Sequence, residues 1–301
     1  MKKNILFFSI AALLFTACNN SEQSAGTETK TDSSSAAKDS STVAANTSNQ
    51  WKIGVQLWTF RLFSFTDAIS KVDSAGAKFI EAFPGQQMGG DFGKKAVMGP
   101  ELSAEDRAKV KELLKSKGIT MIAFGVTGGK DAKEWQKLFE FAKDMGLQYI
   151  TVEPEDKHWG LVDSLAGVYG VKAAIHDHPK PSHYWHPDSV LAAATGHPNI
   201  GACADLGHWS RSGLDVVECL KKLEGHIIGA HFKDVKEFGK TDAEDVITGT
   251  GVNKWPEIFA EFKRQNFNGM FSIERENNWE HNMTDVKQEI KFFNEQVAAL
   301  K

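Results

Sequence analysis

Short apolar runs alternate with helical patterns from residue 51 to the C-terminus. Each run has the length of a buried strand. The eight predicted strands are residues 53–58, 78–83, 119–125, 148–153, 171–177, 200–205, 226–232 and 269–275. Between them apolar positions recur at helical spacing, as in the stripe of Trp135, Leu138, Phe139, Ala142 and Met145. Eight strand–helix pairs in about 250 residues predict an α/β protein with a (β/α)8 TIM barrel.

A doubly wound open sheet is the structural alternative, because it also alternates strands with helices. That fold binds its ligand through a glycine-rich loop directly after the first strand. Residues 57–65, which include the end of the first predicted strand and the segment after it, contain no glycine. The closed barrel is therefore the favoured architecture.

The first 50 residues have a different composition from the predicted barrel. Lys2 and Lys3 precede an apolar run and then Thr16-Ala17-Cys18, which is typical of a signal peptide over residues 1–18. Cys18 resembles the lipidated cysteine of bacterial lipoproteins; a plain secretory peptide is the alternative. Residues 19–50 are rich in Ser, Thr and Ala and predict a disordered tether. We expect residues 51–301 to form an exported, periplasm-facing barrel that touches the membrane only through a lipid anchor.

Composition limits the partners of this barrel. The 301 residues carry a net charge of −4, and 25% of them are charged, which argues against a nucleic-acid partner. Three cysteines with no CxxC spacing cannot build a disulfide scaffold or a zinc ribbon. A small molecule is therefore the expected partner.

Ionisable residues stand where the later predicted strands end. In a barrel these ends form one mouth, where active sites lie. Because burying such groups is costly unless they are paired or bind a metal, four strand ends predict one divalent metal site. Its predicted ligands are Glu153, Asp205, His231 and Glu274. Carboxylate and imidazole ligands favour Mn²⁺, with Mg²⁺, Co²⁺, Fe²⁺ or Zn²⁺ as alternatives. Simple strand capping or ion pairing is the structural alternative.

The same positions resemble a known superfamily. The chain is similar to sugar phosphate isomerases and epimerases with the xylose isomerase-like barrel, which also include dehydratases and abasic-site endonucleases. The resemblance is carried by residues 53–58, 150–153, 205–208, 231–234, 249–251 and 271–274. It implies that Glu153 and Glu274 exchange a proton with substrate carbon and that His208 contacts substrate oxygen. One departure is Glu237, which stands where these epimerases often have an arginine that orients the substrate.

Further side chains near the strand ends complete the predicted site. His176 is a third catalytic candidate, and His178 and Lys233 are substrate-binding candidates. Indole rings provide platforms for sugar faces, which predicts substrate contacts for Trp58, Trp185 and Trp209. Because phosphorylated sugars are cytosolic and this chain is predicted to be exported, we expect a non-phosphorylated sugar or glycoside.

Three functions fit these residues. The first is a metal-dependent sugar isomerase or epimerase that removes a proton next to a carbonyl and passes through an enediolate. The second is a lyase or hydrolase that removes the aglycone of a 3-keto-glycoside by the same proton abstraction. The third is a barrel that binds sugar without catalysis.

Overall fold

Eight parallel strands close into a barrel. The computed structural model describes residues 51–300, so the predicted signal peptide, Cys18 and the tether lie outside the described residues. The barrel strands are β1 (Lys52–Gln56), β2 (Phe79–Ala82), β3 (Thr120–Thr127), β4 (Tyr149–Val152), β5 (Lys172–His176), β6 (Ile200–Asp205), β7 (Ile227–Phe232) and β10 (Met270–Ile273). Their order around the barrel is β1-β10-β7-β6-β5-β4-β3-β2, which confirms the predicted TIM barrel.

Helices cover the outside of this barrel in the described part of the chain. They are α1 (Phe65–Ala75), α2 (Ala104–Lys117), α3 (Ala132–Met145), α4 (Trp159–Tyr169), α5 (Pro187–Ala194), α6 (Leu206–Arg211), α7 (Val216–Lys222), α8 (Trp255–Arg264) and α9 (Met283–Ala299). Two short strands, β8 (Asp234–Val235) and β9 (Asp245–Val246), pair as an antiparallel ribbon after β7. Within residues 51–300, no helix is both long enough and apolar enough to cross a membrane.

Helix α3 shows why the sequence pattern was readable. The side chain of Asp131 accepts a hydrogen bond from Glu134 N at the first turn, and Gly146 ends the helix with φ 73°. The predicted stripe from Trp135 to Met145 is buried against the barrel. The capping residues therefore set the ends of α3, and its apolar face packs in the core, at the positions that the sequence pattern predicts.

The inner face of the barrel changes from apolar to polar toward the carboxyl ends of its strands. Because strand side chains alternate, residues two apart share the inner face. Tyr149, Ala174 and Cys203 belong to a buried inner cluster, and two residues further on each strand stand Thr151, His176 and Asp205. In the pairing of β6 with β7, Asp205 lies beside His231. The register thus concentrates ionisable groups at one end of the barrel.

Candidate metal centre

Four buried side chains converge at this end of the barrel. They are His176 at the end of β5, Asp205 at the end of β6, His231 in β7 and Glu274 directly after β10. Their nearest ligand atoms all lie within 4.8 Å of one another. His231 Nδ1 is 3.1 Å from His176 Nε2, 3.0 Å from Glu274 Oε2 and 3.6 Å from Asp205 Oδ2. Such separations fit ligands about 2.1 Å from one shared cation.

In each of the two histidines, the ring nitrogen that points away from the cluster contacts a carboxylate. His231 Nε2 lies 3.1 Å from Glu81 Oε2, and His176 Nδ1 lies 3.4 Å from Glu153 Oε1. When these outer nitrogens carry the ring protons, both inner nitrogens turn a lone pair toward the same point. A metal ion at that point satisfies both lone pairs, and outer carboxylate partners of this kind are a regular feature of metal-binding histidines.

Asp205 has one oxygen committed to the fold and one that faces the cluster. Oδ1 accepts hydrogen bonds from Gly207 N (3.0 Å) and His208 N (2.9 Å), where it caps α6. Oδ2 is buried and no donor meets it with hydrogen-bond geometry, although Lys233 Nζ lies 3.0 Å away and His176 Nε2 lies 3.5 Å away. A buried carboxylate oxygen that faces charged groups, with no well-directed donor of its own, can serve as a cation ligand.

The charges around Lys233 also favour a cation in the cluster. The Lys233 ammonium is buried. Its Nζ lies 3.0 Å from Asp205 Oδ2, 2.9 Å from Glu274 Oε2 and 3.0 Å from Glu276 Oε2. Arg211 also contacts Glu276 and pairs with Asp245, so four carboxylates share two cations and carry an excess of two negative charges. A divalent cation beside them neutralises this excess, so the residues present fit a metal.

The carboxylates around His176 favour the protonated form of its ring. Burial by itself lowers the pKa of His176, but hydrogen bonds to Asp205 and Glu153 outweigh burial and raise that pKa to about 9. A metal ion competes with this proton for the same nitrogen, since metal-binding histidines must be neutral. Metal binding at pH 7 is therefore expected to release protons.

The structure does not bring all four predicted ligands together. Glu153 does not converge with Asp205, His231 and Glu274; its carboxylate contacts His176 and His178 instead. The ring of His176 separates it from the cluster, because Nδ1 faces Glu153 while Nε2 faces His231. Burial by itself raises the pKa of Glu153, but hydrogen bonds from both histidines lower it to about 2. His176, predicted as a catalytic group, lies with Asp205, His231 and Glu274 instead.

A cavity of about 200 Å³ opens above the cluster. Its wall includes Trp58, His176, His178 and Glu274, so these four predicted site residues are brought together. Phe83 packs edge-on against Trp58, with ring centroids 5.1 Å apart. The cavity thus combines an apolar side with ionisable groups, as small-molecule sites do.

Four other predicted substrate contacts lie away from this cavity. Trp209 is 1% exposed and His208 is 2% exposed, so neither presents a surface to a ligand. His208 is enclosed by Arg211 and Lys233, at 3.0 Å and 3.3 Å from its ring nitrogens. Lys233 is fully buried among carboxylates, and the half-buried Trp185 stacks with Lys180 outside the cavity wall. Closeness to a strand end in sequence did not imply exposure to the mouth.

Sequence reasoning missed two carboxylates of the site. Glu81 is fully buried in β2, and Glu276 lies in the cavity wall after β10. The available signal for Glu81 was an ionisable residue between apolar Ile80 and Ala82 in a predicted strand. The nearby Lys233 ammonium lowers the pKa of Glu276 to about 2, so this side chain is an anion at neutral pH.

Replacing Glu81 with Gln is expected to weaken divalent metal binding about 10–100-fold, because the carboxylate fixes which nitrogen of His231 carries the proton. Mn²⁺ titration followed by calorimetry measures this change. The matched control is Glu101→Gln, which removes an exposed carboxylate that pairs with Lys137 and does not contact the cluster. Equal metal affinity in the Glu81→Gln variant and the parent would show that Glu81 does not orient His231.

Comparisons with known proteins place the chain in a family. Residues 69–296 match the family described as the xylose isomerase-like TIM barrel. The chain belongs to this family. A search of curated proteins finds no match. Among solved structures, an uncharacterised protein from Parabacteroides distasonis is 36% identical, with a TM-score of 0.67, and the match covers 84% of this chain and 100% of that one.

More distant structures share the fold of this family. A D-tagatose 3-epimerase-like protein is 19% identical, with a TM-score of 0.64 and coverage of 82% of this chain and 98% of that one. A D-psicose 3-epimerase studied in the presence of D-fructose is 13% identical, with a TM-score of 0.61 and coverage of 82% and 99%. At these identities the likeness shows the barrel alone.

Proposed function

We propose that the protein is a divalent-metal-dependent isomerase or epimerase of a non-phosphorylated sugar. The family and the epimerases among the similar structures support a sugar isomerase or epimerase in general. The observation that carries the proposal is the convergence of His176, Asp205, His231 and Glu274 at the base of the cavity. Two imidazoles and two carboxylates suit Mn²⁺, Fe²⁺, Co²⁺ or Zn²⁺ better than Mg²⁺.

The residues around the cavity have distinct tasks in this proposal. A divalent cation held by the four ligands supplies polarisation of a sugar carbonyl. His178 is 44% exposed and gives its Nδ1 to Glu153, which leaves Nε2 as the ring nitrogen free to exchange a proton with substrate. Glu274 lines the same cavity and is the second proton-exchange candidate. Glu153 thus acts through the histidines that it orients.

Two observations favour a substrate without phosphate. The cavity wall includes the carboxylates of Glu274 and Glu276 but no lysine or arginine. The glycine segment after β9 also has its backbone N–H groups engaged, since Gly249 N and Gly251 N each donate to Asp234 Oδ2 at 3.0 Å. These N–H groups therefore do not form a phosphate cradle. Trp58 and Phe83 are apolar members of the same wall, and the Trp58 ring is available to a sugar face.

The test follows proton exchange directly. Purified protein with Mn²⁺ is incubated in D₂O with D-fructose, D-tagatose and a 3-keto-glycoside, and products are followed by NMR. We expect deuterium next to the carbonyl and a new ketose, with turnover falling at least about 1,000-fold in EDTA or in Asp205→Asn. The control Asp242→Asn, at an exposed position of the same region, retains turnover.

Two results would contradict the isomerase or epimerase proposal. Release of the aglycone without a change in free ketose would assign the lyase chemistry instead. Sugar binding that survives EDTA, with no exchange of deuterium, would identify a binding protein without catalysis.

We also propose that the barrel is exported and anchored through Cys18. The support is the sequence pattern of residues 1–18 alone. Metabolic labelling with a radioactive fatty acid tests it: the parent is expected to carry label in the membrane fraction, whereas Cys18→Ser carries none. An unlabelled parent in the cytoplasmic fraction would refute both export and lipidation.

A further inference from the structure

Glu276 is held in the cavity wall by two cations from outside the cavity. Its Oε2 accepts hydrogen bonds from Lys233 Nζ (3.0 Å) and Arg211 Nη1 (2.9 Å). Arg211 is itself fixed, because its Nε donates to Ala243 O at 3.0 Å and its Nη2 donates to Asp245. The backbone N–H of Glu276 also donates to Asp245. The carboxylate therefore has a defined position before any ligand enters.

The other oxygen of Glu276 is available to a ligand. The side chain is 28% exposed, and no hydrogen bond reaches Oε1 from residues 51–300. Glu274, two residues earlier, has its Oε2 turned toward Lys233 and His231. Glu276 thus offers a fixed, charged acceptor to the cavity without being one of the four metal-ligand candidates.

A fixed anion of this kind discriminates between ligands. Hydrogen bonds from a neutral hydroxyl to an ionised acceptor are stronger than those to a neutral acceptor. An anionic substituent placed against Oε1 meets repulsion, because Lys233 and Arg211 contact the other oxygen and do not line the cavity. Sugars that present hydroxyl groups satisfy the carboxylate, whereas sugar phosphates and sugar acids do not.

We infer that Glu276 is a specificity-determining residue, which accepts a hydrogen bond from a substrate hydroxyl and excludes anionic sugars from the cavity. This inference rests on the proposed function. It assigns the preference for neutral over anionic sugars to the side chain of Glu276. Unlike the expectation from export, this preference does not depend on the cellular location of the protein.

The test compares a neutral ligand with its phosphate ester in the full-length, Mn²⁺-loaded protein. Calorimetry measures the affinity of D-fructose and of D-fructose 6-phosphate for the parent, Glu276→Gln and Glu276→Asp. The parent is expected to bind the neutral sugar at least 10-fold more tightly than the ester. In Glu276→Gln we expect neutral-sugar affinity to fall about 10-fold, from the loss of a charged acceptor. We also expect discrimination against the ester to fall at least 5-fold.

The shorter variant separates charge from hydrogen bonding. Glu276→Asp keeps the anion but withdraws its oxygen, so exclusion of the ester should persist while neutral-sugar affinity falls. Metal content and Tm are measured in each variant, and Glu280→Gln at an exposed position of the same loop serves as the control. KM for a turned-over sugar should change more than kcat.

The failures are distinguishable. If the parent binds and converts D-fructose but Glu276→Gln shows the same affinities and the same discrimination, the inference about Glu276 is wrong and the proposed function stands. If the metal-loaded parent binds neither sugar and exchanges no deuterium with any ketose, the proposed function and the inference fall together.

Discussion

Replacing His176 with Ala is expected to abolish stoichiometric metal binding, whereas Glu153→Gln is expected to leave the metal in place. His176 Nε2 lies with His231 and Asp205 inside the cluster, but Glu153 contacts the other ring nitrogen, Nδ1. Loss of a direct ligand should weaken binding by about 1,000-fold or more. Loss of an outer partner should weaken it about 10–100-fold. Metal analysis of the purified variants and Mn²⁺ titration measure the two effects.

The same experiment decides between the two ligand sets. Asp205→Asn and His231→Ala should lose metal in either case, because both sets contain those residues. His183→Ala is the matched control, since this histidine is 56% exposed and pairs with Asp156 away from the cluster. A His176→Ala protein with full metal content, together with an empty Glu153→Gln protein, would restore the set predicted from sequence.

The fold was predictable because several local signals agree on each element. The predicted stripe of α3 is the buried face of that helix, and Gly146 ends it in the left-handed region. Each predicted strand overlaps a barrel strand of the structure. The spacing of apolar residues differs between strands and helices, so the two can be told apart in one sequence. Eight repeats of the strand–helix pair are typical of a closed TIM barrel.

The site was only partly predictable, because sequence does not give register between strands. Asp205 and His231 were assigned correctly as neighbours at adjacent strand ends. Glu153 and His176 also stand at the ends of adjacent strands, and sequence alone does not say which of the two side chains enters the cluster. Glu81 contacts His231 across 150 positions of sequence, a pairing that no local pattern encodes.

Exposure was the second property that sequence could not supply. Trp209 follows Asp205 closely, yet it lies on α6, where helical rotation turns its ring into the protein interior. His208 and Lys233 are likewise close to ligands in sequence but are enclosed by charged partners. The side chains of a barrel mouth thus divide into those that line the cavity and those that support its charges.

Lys233→Met is expected to destabilise the metal-free protein by about 3–5 kcal/mol, because it removes the ammonium that contacts the buried Asp205 and Glu274 and the partly buried Glu276. Methionine keeps the aliphatic stem that packs against Gly207, so packing contributes little to the loss. Metal affinity should rise rather than fall in this variant, since a positive charge about 3 Å from two ligand oxygens has been removed. Urea denaturation in EDTA and in Mn²⁺ measures both effects.

The control for this prediction is Lys236→Met, which removes a lysine that is 63% exposed on the same segment and should leave stability and metal affinity unchanged. A substrate-binding role for Lys233, as predicted from sequence, has a different signature: unchanged stability without metal and a higher KM for sugar. That signature would contradict the structural role. Adding Mn²⁺ separates the structural role from the substrate-binding role. If Lys233 balances the charge of the ligand carboxylates, a bound divalent cation can take over that balance, and Mn²⁺ should restore much of the lost stability.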